Sequence, residues 1–181
     1  MITLIVCGIL EHEVRKVVQH LAIPVNMVVM PPQLHKYPLR LKQELETQLR
    51  ISDTKKVVYG KCFPGIDDFL KKYNAQRIEG ETCYEIVAGD TFYELLRKEP
   101  GTYFMLPQLC EAFDELTDDI RLKELKNIYF KNYKQCILLD TGIPYKKCTE
   151  VSEELGLPYH IISVGIGHLE KRVKDLLQRG Q

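Results

Sequence analysis

The 181-residue chain has no apolar run long enough to cross a bilayer; the run near its start covers residues 2–6, and no cleavage pattern follows it. It reads as cytoplasmic. There is no charge excess either, because 25 lysines and arginines meet 25 aspartates and glutamates, so neither nucleic acid nor an anionic membrane surface is expected as the main partner. Motifs that announce familiar enzyme classes are missing: no CxxC pair of a structural zinc site, no HExxH helix, no GxSxG elbow. Gly165 and Gly167 precede a helix, but they lack the third glycine of a dinucleotide fingerprint and the lysine of a P-loop. No repeat of 20 to 50 residues and no low-complexity segment appears, so one domain over 1–181 is expected. Six cysteines without a secretion signal read as thiols or metal ligands, not as a disulfide framework.

What is present is an alternation. Apolar runs at 2–6, 25–30, 57–62, 102–106, 136–139 and 159–164, with a short strand at 75–78, are separated by stretches of helical period. Runs rich in valine and isoleucine belong to strands buried on both faces, which calls for a three-layer α/β domain, a largely parallel sheet with helices on both faces, Rossmann-like in outline. Residues 109–133 are charged and amphipathic and read as a helical segment broken near Thr117. The segment 31–38, rich in proline, reads as a stiff loop.

In such a sheet the loops leaving the carboxyl ends of the strands gather on one edge. Cys7, Cys62 and Cys83 each sit at a predicted strand-to-loop junction, with His35, Asp140 and His168 on comparable loops. Three thiolates with an imidazole form a soft ligand set suited to zinc or an iron–sulfur cluster. Free cysteine is also a common core filler, and Cys110, Cys136 and Cys148, within helical or strand pattern, take that reading. His35, held between prolines, suits a ligand or a proton shuttle. Gly60 belongs to the loop that carries Cys62. Asp140, Thr141 and Gly142 form a turn in which the carboxylate bonds nearby amides, or contacts a polar ligand. The tyrosines at 59, 84, 93 and 103 read as core and rim packing.

Cys7 with Glu11, Leu34-His35, Tyr59-Gly60-Lys61-Cys62, Thr82-Cys83-Tyr84 with Ala88-Gly89, Gly101-Thr102-Tyr103-Phe104 and Asp140-Thr141-Gly142 together resemble the domain-of-unknown-function family 1638. The resemblance covers nearly the whole chain. It implies Cys7, Cys62 and Cys83 as the thiols of interest, and a setting in anaerobic one-carbon metabolism beside a corrinoid protein or methyltransferase. One departure is the absence of tryptophan after the Gly-Thr-Tyr-Phe stretch, where Leu-Pro-Gln-Leu-Cys-Glu stands instead. Three functions follow as expectations: a metal-binding protein with an iron–sulfur cluster or zinc; a non-enzymatic accessory module that docks through 109–133; and a thiol redox enzyme.

Overall fold

The first strand, β1 (Ile2–Cys7), is apolar on both faces, and five of its six residues are buried. It is therefore sheathed by a strand on each side and by helices above and below. The structure, a computed structural model, describes residues 2–51, 54–118 and 122–179. After β1 and a 3-10 turn at Gly8–Leu10 come α1 (Glu11–Leu21), β2 (Val25–Met30), a second 3-10 turn at Pro32–Lys36, α2 (Pro38–Ile51), β3 (Thr54–Val58), α3 (Ile66–Lys71) and β4 (Gln76–Arg77). They are followed by α4 (Cys83–Ala88), α5 (Asp90–Lys98), β5 (Thr102–Met105), α6 (Pro107–Glu111), α7 (Phe113–Thr117) and α8 (Leu122–Tyr129). The chain closes with β6 (Gln135–Asp140), α9 (Cys148–Leu155), β7 (Tyr159–Ser163) and α10 (Gly167–Gln178).

Every strand pairing among the described residues is parallel, as the buried apolar runs require. The α/β expectation holds, but the strands divide into two sheets, one ordered β2-β1-β3-β4 and one ordered β5-β6-β7. The division falls after β4, which is only two residues long and gives way to α4 and α5 before the chain extends again at β5. The first sheet reverses direction of growth between β1 and β3; the second grows one way only.

The two sheets meet at their carboxyl ends. The α6 helix, which follows β5, packs on the Gly8–Leu10 turn that follows β1, and α7 packs on the Pro32–Lys36 turn that follows β2. The α10 helix returns across the first sheet and packs on α1, α4 and β3. Its buried Leu169, Val173, Leu176 and Leu177 recur at helical spacing, so one apolar stripe fastens it to the core. One continuous cluster of buried residues joins both sheets. The Gly-Thr-Tyr-Phe stretch shows how β5 contributes to it: Phe104 packs on Phe92 at 4.9 Å and Tyr84 at 5.9 Å, while Tyr103 points to the other face and meets Phe130 and Tyr133, both at 5.4 Å.

The charged segment breaks into α6, α7 and α8, with α7 ending at Thr117 as expected. The stiff loop is a 3-10 turn begun by Pro32. One expectation is overturned. Cys110 of α6 and Cys148 of α9 are not separate core fillers but a disulfide, because the packing of these helices brings their Cα atoms to 5.0 Å, within the range a disulfide spans. No helix among the described residues is long and apolar enough to cross a membrane.

Candidate functional site

The reversal between β1 and β3 opens a crevice at the carboxyl edge, where α/β sheets bind ligands. Cys7 ends β1, and Tyr59-Gly60-Lys61-Cys62 continues β3 past its last register pair, Val6 with Val58. Two glycines let neighbouring chains close around this point. A Cβ at Gly8 would lie 2.6 Å from the Met30 carbonyl oxygen and 2.7 Å from Pro32 Cδ, so only glycine admits the turn that carries His35. A Cβ at Gly60 would lie 2.7 Å from the Glu81 carbonyl oxygen, and the same approach lets the Lys61 amide donate to that oxygen at 2.7 Å. The segment that ends in Cys83 is thereby pressed against the one that ends in Cys62.

Two arginines hold these loops from below. Arg77 donates to the Tyr59 carbonyl at 2.9 Å and the Gly80 carbonyl at 2.6 Å, and pairs with Asp67 at 2.8 Å. Arg172, reaching over from α10, donates to the Glu79 carbonyl at 2.8 Å and forms a mostly buried ion pair with Glu85. Glu85 also accepts from the Glu81 amide at 2.7 Å, and its own amide donates to the Thr82 hydroxyl that caps α4. Burial opposes ionisation of Glu85, but Arg172 and the Glu81 amide outweigh it and hold the carboxyl below its ordinary range.

The thiols are neighbours on this scaffold. Cys83 lies beside both Cys62 and Cys7, Cys62 also meets the His35 imidazole, and all three sulfurs are near Tyr59. Cys7 and Cys83 are buried and Cys62 is half-buried, while His35 approaches from the exposed side. The Tyr59 hydroxyl is wholly buried and has no hydrogen-bond partner among the described residues, although the three sulfurs lie near it.

Burial and neighbouring thiols oppose ionisation of Cys62 and Cys83. The Cys83 thiol and burial push Cys62 far up, against the downward pull of His35. Cys62 donating toward Cys83 lowers Cys83, but Cys7 and burial outweigh this and raise it. Burial, then the three sulfurs, raise Tyr59. A cavity of about 170 Å³ opens beside these thiols, lined by Cys62, Cys83 and His35 together with Ile9, Tyr84 and Leu109. Leu109 comes from the second sheet's α6, so both halves of the chain wall it. A Lys61–Glu81 ion pair at 2.7 Å stands at its rim. A larger hollow of about 430 Å³ beside β2 and α2 is lined by Arg40, Glu44 and Gln48 and holds no thiol.

Of the sequence-expected residues, the structure brings together Cys7, Cys62, Cys83, His35 and Gly60. Asp140, Thr141 and Gly142 stand apart, at the carboxyl edge of β6. The Asp140 carboxylate accepts from the Gly142 amide at 2.9 Å, which is the structural turn expected. Thr141 donates to Glu13 of α1 at 3.0 Å in a buried contact that joins the two halves. His168 packs on Gly89 in the company of Arg172, Glu85 and Asp90, away from the sulfurs; burial and Arg172 lower it. Cys136, inside β6, is raised by burial to about 11 and is a core thiol.

Tyr59 and Glu13 were missed as functional or polar core groups. Glu13 carried a signal, since it shares a helical stripe with Leu10, Val14 and Val17, where an acid is out of place. Tyr59 carried none beyond its place at the end of the β3 run.

No group of three or more His, Cys, Asp or Glu side chains among the described residues is arranged to hold a metal ion as it stands.

The family model described as Protein of unknown function (DUF1638) matches residues 29–173. The chain belongs to the DUF1638 family. The DUF1638 match includes His35, Gly60, Cys62, Cys83 and the turn at 140–142, and it begins after Cys7. No curated protein and no solved structure matches the chain.

Proposed function

We propose that Cys7, Cys62 and Cys83 form a soft-metal centre, an iron–sulfur cluster or zinc, with His35 at its open side. The observation that supports this reading is the placement of three neighbouring thiols at the sheet's reversal point. The Cys83 thiol and burial raise Cys62, and the Cys7 thiol and burial raise Cys83; a cation beside them would favour the thiolates and release the protons. The donor set is that of zinc or a cluster. Because no group among the described residues is arranged to hold an ion as it stands, loading requires the side chains to regroup. His35 sits where it can take a proton from Cys62 or from a molecule in the cavity. The bound group would supply either electron transfer, as a cluster, or activation of a substrate thiol, as zinc. The setting we propose is the anaerobic one-carbon metabolism named by the family resemblance, with a corrinoid protein or methyltransferase as partner.

Anaerobic purification followed by metal analysis and a visible spectrum tests the centre. Iron or zinc near one equivalent or more per chain is expected, lost on Cys7→Ser, Cys62→Ser or Cys83→Ser and kept on Cys136→Ser. Colourless protein free of both metals overturns it.

A second reading, an accessory module, is favoured by α8, where Ile128 and Tyr129 are 64% and 53% exposed within the charged segment. Pull-down with the corrinoid and methyltransferase proteins, with Ile128→Lys as the control, tests that docking face.

A further inference from the structure

The three thiols differ in their access to the cavity. Cys62 and Cys83 line it, whereas Cys7 does not. Cys62 is half-buried and meets His35, its neighbour Cys83 is 7% exposed, and Cys7, beside Cys83, is 1% exposed. A more accessible thiol at an opening with a less accessible one beside it is the arrangement of an attacking and a resolving cysteine.

We propose that Cys62 and Cys83 are a dithiol that exchanges with small disulfides. Cys62 gives its proton to His35 and attacks one sulfur of the disulfide RS–SR, the S–S bond breaks, and RS⁻ leaves and takes that proton from His35. The protein then carries a mixed disulfide, Cys62–S–SR. Cys83 attacks the Cys62 sulfur, the second RSH leaves, and the protein keeps a Cys62–Cys83 disulfide. Two electrons pass from the two protein thiols to RS–SR, giving two RSH.

The size of the cavity sets the substrate class. At about 170 Å³ it is below the roughly 300–1,000 Å³ of pockets for drug-sized ligands and close to the ~150 Å³ that holds a benzene. The apolar walls, Ile9, Tyr84 and Leu109, select a disulfide with a short, uncharged arm. Cys110–Cys148 takes no part, since both sulfurs are already joined and both residues are fully buried.

The assignment uses two of the thiols of the metal reading and does not depend on it, and Cys7 separates the two: metal needs all three sulfurs, exchange needs only two. The test uses metal-free full-length protein with its four free thiols reduced, treated with 2-hydroxyethyl disulfide. Released 2-mercaptoethanol is counted and the disulfides are mapped on peptides. The expected result is two equivalents released with a Cys62–Cys83 link. Cys83→Ser should release one equivalent and keep a mixed disulfide on Cys62. Cys7→Ala should lose metal binding but keep the exchange. A stable mixed disulfide on the wild-type protein, a link through Cys7, or modification of Cys136 alone overturns the proposal. So does a Cys7→Ala protein that melts like the wild type but no longer exchanges. The wild-type peptide map stands even if a variant fails to fold.

Discussion

The two sheets present their carboxyl edges to each other, and the edges have become different things. At the edge of β1 and β3 the chain diverges to both sides, loops from β1, β2, β3 and β4 converge, and two thiols with an imidazole face a cavity, a third thiol lying beside them. At the edge of β6 the strands run in sequence, Asp140 closes a turn on the Gly142 amide, and the nearby cysteines are spent in the Cys110–Cys148 bridge. Both edges carry a strand, a loop and a helix, so local pattern does not separate them. The strand order does, because only a reversal leaves a crevice between adjacent loops. One edge can therefore hold chemistry while the other holds the molecule together, and this contrast can be broken by substitution.

The largest stability effect is expected at the structural edge. Replacing Cys110 and Cys148 together by alanine frees a span of 38 residues, worth about 4 kcal/mol in the loop-entropy view of disulfides. Urea unfolding should register most of this loss, with the metal content of anaerobic protein little changed. Cys83→Ser should do the reverse, removing metal at a smaller loss of stability. Equal effects of the two changes on both readouts would erase the contrast.

Next in size is Arg172→Met. It leaves the Glu85 carboxylate mostly buried without its ion pair, which costs about 3 kcal/mol. The Glu79 carbonyl also loses its donor, so the loop that ends in Cys83 should loosen. Faster alkylation of Cys83 in native protein, with Cys136 unchanged, is the accompanying sign. Unaltered Cys83 reactivity would mean that Arg77 alone positions the loop.

A pair of glycines gives a sharper and smaller test. Gly60→Ala would drive a methyl against the Glu81 carbonyl oxygen, a backbone atom that cannot move aside cheaply, for about 1–3 kcal/mol and displaced thiols. Gly142→Ala meets nothing closer than the Lys16 ammonium at 3.8 Å and suffers only its φ of +73°, about 1 kcal/mol. Metal binding and disulfide exchange should fall with the first and survive the second.

Much of this arrangement was legible in the sequence. The parallel strands followed from apolar runs, and Cys7, Cys62 and Cys83 were placed by the strand-end rule, because both depend on local pattern. The break between two sheets was not legible: Gln76–Arg77 is too short to announce where a sheet ends. Nor was the Cys110–Cys148 pairing, which depends on how α6 meets α9 across 38 residues. The Asp140 turn was read correctly, since an Asx turn is local, yet its neighbour Thr141 reaches 128 residues back to Glu13.

That last contact carries the smallest prediction. Glu13 is fully buried, one carboxylate oxygen accepts from Thr141, and the other has no partner among the described residues. Burial outweighs its hydrogen bonds and raises its pKa above the ordinary carboxylate value. Below that ordinary value the group is neutral in folded and unfolded chains alike, and its contribution to stability is fully present. As pH rises past it, the unfolded chain releases the proton while the folded chain still holds it, so stability declines until the folded carboxyl ionises too. Glu13→Gln keeps an acceptor for Thr141 and removes the titration. Wild type and variant should therefore match at low pH and separate as pH rises, with the variant the more stable near neutrality. Thermal melts of both proteins from about pH 4 to pH 8 would show it. Parallel curves across that range would mean that the carboxyl finds a partner in solution, and that the seam between the two edges is wetter than its burial implies.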